Sequence, residues 1–138
     1  MSLKAVGAGL AVILENISDL RVYAPAELPG SLNEFPCAVI LHSGTTYNVA
    51  MGSGDATQEH RFRVKLAVTS QDLPSALNSL LDYLDNTGAS SVRAKINADP
   101  TLNSTCNTAW VESNTGQGGF MWGGQMYLGT EFEIVAIE

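Results

Sequence analysis

Histidine, cysteine and paired carboxylates most often carry protein chemistry, and this chain is sparing with the first two, holding His42, His60, Cys37 and Cys106. A zinc ligand set needs CxxC or a closely spaced histidine partner, and a thiol nucleophile needs a base beside it. Cys37 and Cys106 stand far apart with neither, so both read as reduced thiols acting as small hydrophobes. His42 and His60 sit beside strand ends with no Ser or Cys nucleophile nearby in sequence, and read as surface or rim residues. Asp82 and Asp85 fall on an exposed helix face and give no cue for a general acid–base pair. Gly7-Ala8-Gly9 begins a dinucleotide fingerprint, but its third glycine would fall at Val12 and no strand precedes it. The phosphate-loop pattern, the GxSxG elbow and HExxH are missing from the sequence. The expectation is a protein that is not an enzyme, with no catalytic residue, no cofactor and no metal ligand.

Residues suited to contact rather than catalysis are more prominent. Arg61, Arg63 and Lys65 place three of the seven basic residues on one face of one strand of an acidic chain. They form either a solvated face paired across the sheet with Glu131 and Glu133, or a stripe that meets an acidic surface of another copy in a head-to-tail contact. Phe120, Met121 and Trp122 lie among Gly116, Gly118, Gly119, Gly123 and Gly124. They read as alternate burial in a hairpin or as an exposed apolar contact for a partner. Met51 leads into the link Gly52 to Thr57, which is either a mobile turn or a segment that orders on docking. Arg61, Arg63, Lys65, Met51, Phe120, Met121 and Trp122 are therefore the candidate subunit or partner interface.

The elements that would position these residues follow from apolar spacing. Leu3, Val6, Leu10, Ile13 and Ile17 recur at three and four residues and predict a helix capped by Ser2. Gly7 and Gly9 weaken it by about 1 kcal/mol each but permit close approach by a neighbour. Leu20 to Ala24 is a short strand closed by Pro25, and residues 25 to 36 form a surface loop. Cys37 to Leu41 is an apolar run typical of a strand covered on both faces, and Thr45 to Met51 is expected as a further strand.

The clearest alternation follows, with His60, Phe62, Val64, Leu66 and Val68 on one face. At about 3.3 Å per residue, Gln58 to Ser70 would span roughly 43 Å against a usual 17 to 20 Å. One end is therefore expected to project as a hairpin arm. A helix capped by Ser70 or Asp72 should bury Leu73, Leu77, Leu80, Leu81 and Leu84. A shorter one starts at Ser90 or Ser91, buries Val92 and Ile96, and ends before Pro100. Strands Asn107 to Ser113, a Gly-rich piece to Trp122, and Gln125 to Ile137 complete the chain, with Gly123-Gly124 as a two-residue hairpin turn. The fold class is α+β, a mostly antiparallel or mixed sheet with flanking helices and a projecting β-hairpin.

Composition bounds the remaining classes. With 138 residues the chain is one domain, 1–138, able to bury a core without staples. It is 45% hydrophobic but only 15% charged, a mild hint that other subunits cover part of its surface. Seven basic residues against fourteen acidic give a net charge of −7, which argues against a protein that grips phosphate backbones. No stretch approaches the roughly 20 apolar residues of a bilayer span. The first residues lack the closing small-residue site of a signal peptide and run into Glu15, so a cytosolic, soluble protein with no membrane partner is expected.

The succession LRVYA (Leu20 to Ala24), PCAVI (Pro36 to Ile40), Tyr47 before a Gly-rich turn, FRVKLAVTSQD (Phe62 to Asp72), LLDYLD (Leu80 to Asp85), GASSVRAKINAD (Gly88 to Asp99) and YLGTEFEI (Tyr127 to Ile134) resembles the tail terminator, or tail completion, proteins of long-tailed bacteriophages. The similarity runs through nearly the whole chain and rests on order and spacing rather than on any one segment. LNSTCNTAW, around Cys106, matches only loosely. The resemblance implies a small α+β subunit that forms a ring, commonly a hexamer, on the finished tail tube. Such a ring stops tube growth and presents the head-joining surface. Its partners would be other copies of itself, the tail tube protein and a head–tail connector protein. Its location would be the head-proximal end of the virion tail after assembly in the host cytoplasm, with DNA passing through without tight binding. The family offers no catalytic residue to carry over. The alternatives are a neighbouring connector or tube-related protein and, further off, a small-molecule binding domain, which would show a polar-lined pocket and remain monomeric.

Overall fold

The computed structural model describes residues 3–17, 20–30, 32, 35–48, 57–69, 80–116 and 118–137. Helix α1 (Leu3–Leu14) leads to β1 (Arg21–Tyr23), a 3-10 turn (Pro25–Glu27), β2 (Cys37–Asn48) and β3 (Thr57–Thr69). Residues 80–84 form the described part of α2, followed by α3 (Val92–Ala98), β4 (Thr108–Asn114), β5 (Gly118–Trp122) and β6 (Gln125–Ile137). The six strands make one sheet in the order β1-β2-β3-β6-β4, with β5 also on β6. Only β1 against β2 is parallel; the other pairings are antiparallel, which gives the expected α+β fold with a mixed sheet.

Alternation in β3 divides the molecule. His60, Phe62, Val64 and Leu66 are buried on the helix side, and the last three join Val6, Leu10 and Ile13 of α1, with Ile17 just past its end, in the main core. Fully burying one such side chain contributes about 1.5–3 kcal/mol, so this stripe, not helix propensity, holds α1 in place. The two glycines of α1 fit that purpose. A Cβ on Gly7 would stand 2.9 Å from Pro25 Cγ, and one on Gly9 would overlap the Leu102 carbonyl and the Thr105 side chain. Close seating of the helix thus offsets the propensity that glycine forfeits.

Several expectations need correction. Cys37–Leu41 and Thr45–Met51 are not two strands, because β2 runs unbroken through Ser43-Gly44 and takes up the irregularity as a bulge between His42 and Gly44. A long antiparallel partner pairs on both sides of that point, so continuing the ladder satisfies backbone groups that a turn would leave open. The long β3 is a central strand, paired with β6 from Glu59 to Thr69, while Thr57 and Gln58 pair with β2 alone at the base of the expected hairpin arm. The hairpin tip, including Met51 and the Gly52–Thr57 link as far as Ala56, lies outside the described residues. So do Ser2, Ser70, Asp72, Leu73 and Leu77 of the expected helices. In α2, Leu80 and Tyr83 are buried and Leu81 is exposed, where Leu81 was expected inside. Leu80 and Tyr83 are one turn apart and share a face that Leu81, 100° round the helix, cannot share.

Helix α3 begins where expected: Ser91 accepts a hydrogen bond from the Ala94 N–H at 3.1 Å and donates to the Asp85 carbonyl, tying the end of α2 to the start of α3. Gly123 and Gly124 take φ of 59° and 83°, the left-handed conformations a two-residue hairpin turn between Trp122 and Gln125 requires. Cys37 and Cys106 are buried thiols.

Candidate interaction surfaces

The sheet face turned away from the helices carries most of the residues singled out by sequence. Arg61, Arg63 and Lys65 point to this face from β3, and β6 sets Glu133 opposite Arg63 and Glu131 opposite Lys65 in the ladder. Lys65 Nζ lies 3.3 Å from Glu131, and Arg63 Nε 3.9 Å from the same carboxylate. Arg61 is the hub, with Glu112 at 2.8 Å, Glu133 at 3.3 Å and Glu59 at 3.5 Å. The hydrogen bond that Arg61 donates to Glu112 is the largest cause that raises its pKa above the ordinary value; desolvation opposes it, and the hydrogen bond donated to Glu133 adds to it. The stripe is thus a ladder in which four carboxylates outnumber three cations. Exposed pairs of this kind contribute about 0–1 kcal/mol each. Their greater effect is to leave no cationic surface in surplus for an acidic partner.

Glu112 and Glu59 were missed as members of the ladder. Glu59 alternates with the basic residues and was legible. Glu112 reaches Arg61 only because β4 pairs with β6 on the edge opposite β3, with a bulge between Val111 and Ser113.

The aromatic and methionine residues separate. Phe120 is buried with Leu32, Cys37, Val39, Ala67 and Tyr127 in a second, smaller core on this face. The Tyr127 hydroxyl accepts from the Leu32 N–H at 3.2 Å and donates to Gln125 Oε1 at 2.9 Å. Trp122 packs at the edge of the cluster, its Nε1–H donating to the Pro29 carbonyl at 3.0 Å. Phe120 and Trp122 therefore anchor the β5–β6 hairpin to Pro29, Leu32 and Phe35. Met121 alone remains a contact candidate, and its cross-strand partner Met126, not anticipated, joins it: they are 55% and 59% exposed.

The histidines depart furthest from expectation. His60 is 2% exposed and belongs to the helix-side face, not a rim. The bulge in β2 brings His42 and Thr45, three residues apart, onto that same face opposite Phe62 and His60. Thr45 Oγ1 stands 2.7 Å from His42 Nε2 and 2.9 Å from His60 Nδ1, so one hydroxyl bridges both rings. Simple alternation would have put His42 and Thr45 on opposite faces. His42 also forms one wall of an apolar groove of about 400 Å³ bounded by Leu3, Lys4, Pro25, Ala26 and Phe62.

Among the described residues no group of three or more His, Cys, Asp or Glu side chains is placed to hold a metal ion, and no helix is long and apolar enough to cross a membrane. No protein-family model matches the chain, and neither does any curated protein compared with it.

Proposed function

We propose that this protein is a structural subunit of a long-tailed phage virion, which caps the tail tube as a ring, ends its polymerisation and provides the surface that joins the head. The observation that carries the reading is the ordered set of segments resembling tail terminator proteins. Where they are described, these segments fall largely on β1, β2, β3, α2, α3 and β6. The net charge of −7 suits a ring that DNA must pass without being held. The exposed Met121–Met126 pair suits a docking contact, being apolar and carried on a hairpin anchored by Phe120, Tyr127 and Trp122. The basic stripe supports self-assembly less well, since Arg61, Arg63 and Lys65 already meet carboxylates of their own chain.

The test is tube capping. Purified protein is added to polymerising tail tube protein, and tube lengths and ends are recorded by negative-stain electron microscopy. Wild-type protein is expected to shorten the tubes and leave a ring at one end. Met121→Lys with Met126→Lys, both on exposed side chains, should change stability by no more than about 0.5 kcal/mol yet reduce capping. Unchanged tube lengths and bare ends with the wild-type protein would refute the reading.

A further inference from the structure

The groove beside His42 and an exposed knob on α2 are chemical complements. The groove has an apolar floor and side formed by Leu3, Pro25, Ala26 and Phe62, with Lys4 on α1 and His42 on β2 as its only polar side chains among the described residues. Lys4 is exposed and has no ion-pair partner among the described residues. His42 commits Nε2 to Thr45, which leaves Nδ1 to meet a ligand. A matching ligand is therefore an aliphatic side chain flanked by carboxylates.

The same chain displays one. Leu81 is 51% exposed, the most exposed aliphatic among the large hydrophobic side chains described. Asp82 is the next residue along, and Asp85 lies just past the helix end, where one carboxylate oxygen accepts from the Asn86 N–H and the other stays open among the described residues. Neither carboxylate has an ion pair among the described residues. Other exposed apolar residues lack this double flanking: Val12 and Leu28 have one carboxylate each nearby in sequence, Glu15 and Glu27, Met121 and Met126 have none, and the carboxylate of Glu112, near Trp110, is engaged by Arg61.

From this match we infer that the groove of one copy takes Leu81 of a second copy, with Asp82 and Asp85 meeting Lys4 and His42. Groove and knob are different patches, so the contact is heterologous and repeats from copy to copy, as a ring requires. The inference rests on the reading of the protein as a self-assembling subunit and assigns the contact that this reading leaves open.

Charge reversal tests it. In a concentration series followed by multi-angle light scattering and sedimentation, Lys4→Glu sets a carboxylate in the groove against Asp82 and Asp85. The double variant Asp82→Lys with Asp85→Lys sets ammonium groups against Lys4. Each alone is expected to self-associate at least about tenfold more weakly than wild type, because a like-charge opposition replaces an attraction. An equimolar mixture of the two should assemble again in strict alternation, since each groove then faces a knob of opposite charge. All substituted side chains are exposed, and far-ultraviolet circular dichroism verifies that each variant folds.

Wild-type protein that stays monomeric at every concentration, variants that associate like wild type, or folded variants whose mixture fails to co-assemble would each overturn the contact. None of these results alters tube capping, which is read separately. Conversely, a chain that assembles through this contact but never changes tube length removes the tail reading and leaves the contact standing.

Discussion

Replacing Thr45 by valine removes one hydroxyl and keeps the branched shape that suits a strand, so it isolates the bridge between the two histidines. The two hydrogen bonds it breaks are unequal. On the His42 side the ring is exposed, and water can replace the partner at 2.7 Å with little loss. On the His60 side the ring is 2% exposed and Nδ1 loses a partner at 2.9 Å. Deleting a hydrogen bond at a buried ring costs about 1–3 kcal/mol, so the buried half dominates and a loss of about 2 kcal/mol is expected. For a domain of this size that corresponds to a fall in Tm of roughly 6–10 °C.

Urea unfolding followed by circular dichroism measures the change directly, with an unchanged m-value showing that only the folded state has altered. His42→Ala is the comparison, expected within about 0.5 kcal/mol of wild type because it removes only the exposed half. A Thr45→Val protein as stable as wild type, or a His42→Ala protein as destabilised as Thr45→Val, would refute the assignment of the cost to His60.

Gly129→Ala should destabilise by about 3 kcal/mol in the same assay, because the added Cβ overlaps the Leu66 carbonyl on β3, a backbone atom that cannot swing aside. Gly118→Ala is its control: no atom lies within 4 Å of the new methyl, so a loss equal to that of Gly129→Ala would sink the steric account. Ser91→Ala should cost about 1–2 kcal/mol and speed hydrogen exchange at the Ala94 amide, whose N–H loses its cap; unaltered exchange there would contradict the capping role.

The local features of the chain were largely legible in its residue order. The 3.6-residue stripe of α1, the alternation of β3, the Ser91 cap, the Gly123-Gly124 turn and the limits of β6 each depend on residues within a few positions of one another. Backbone geometry and side-chain direction repeat with the sequence, so their signals are local. The pairing of Lys65 and Arg63 with Glu131 was within reach for the same reason, since alternating charges on two adjacent strands must meet on one face.

Tertiary structure decided what depends on neighbours remote in the chain. Whether Ser43-Gly44 was a turn or a bulge depended on whether a partner strand continued past it, and β3 does. That bulge in turn set the face of Thr45, and with it the bridge between an exposed and a buried histidine. Which of Phe120, Met121 and Trp122 would be buried and which exposed was settled by Pro29, Leu32 and Phe35 lying against one face of the hairpin. The apolar groove arises only where α1, the 3-10 turn and the sheet come together. Residue order specifies local conformation and the alternation of faces, whereas burial, ion-pair partners and grooves arise when distant segments exclude water from one another, which no local period encodes.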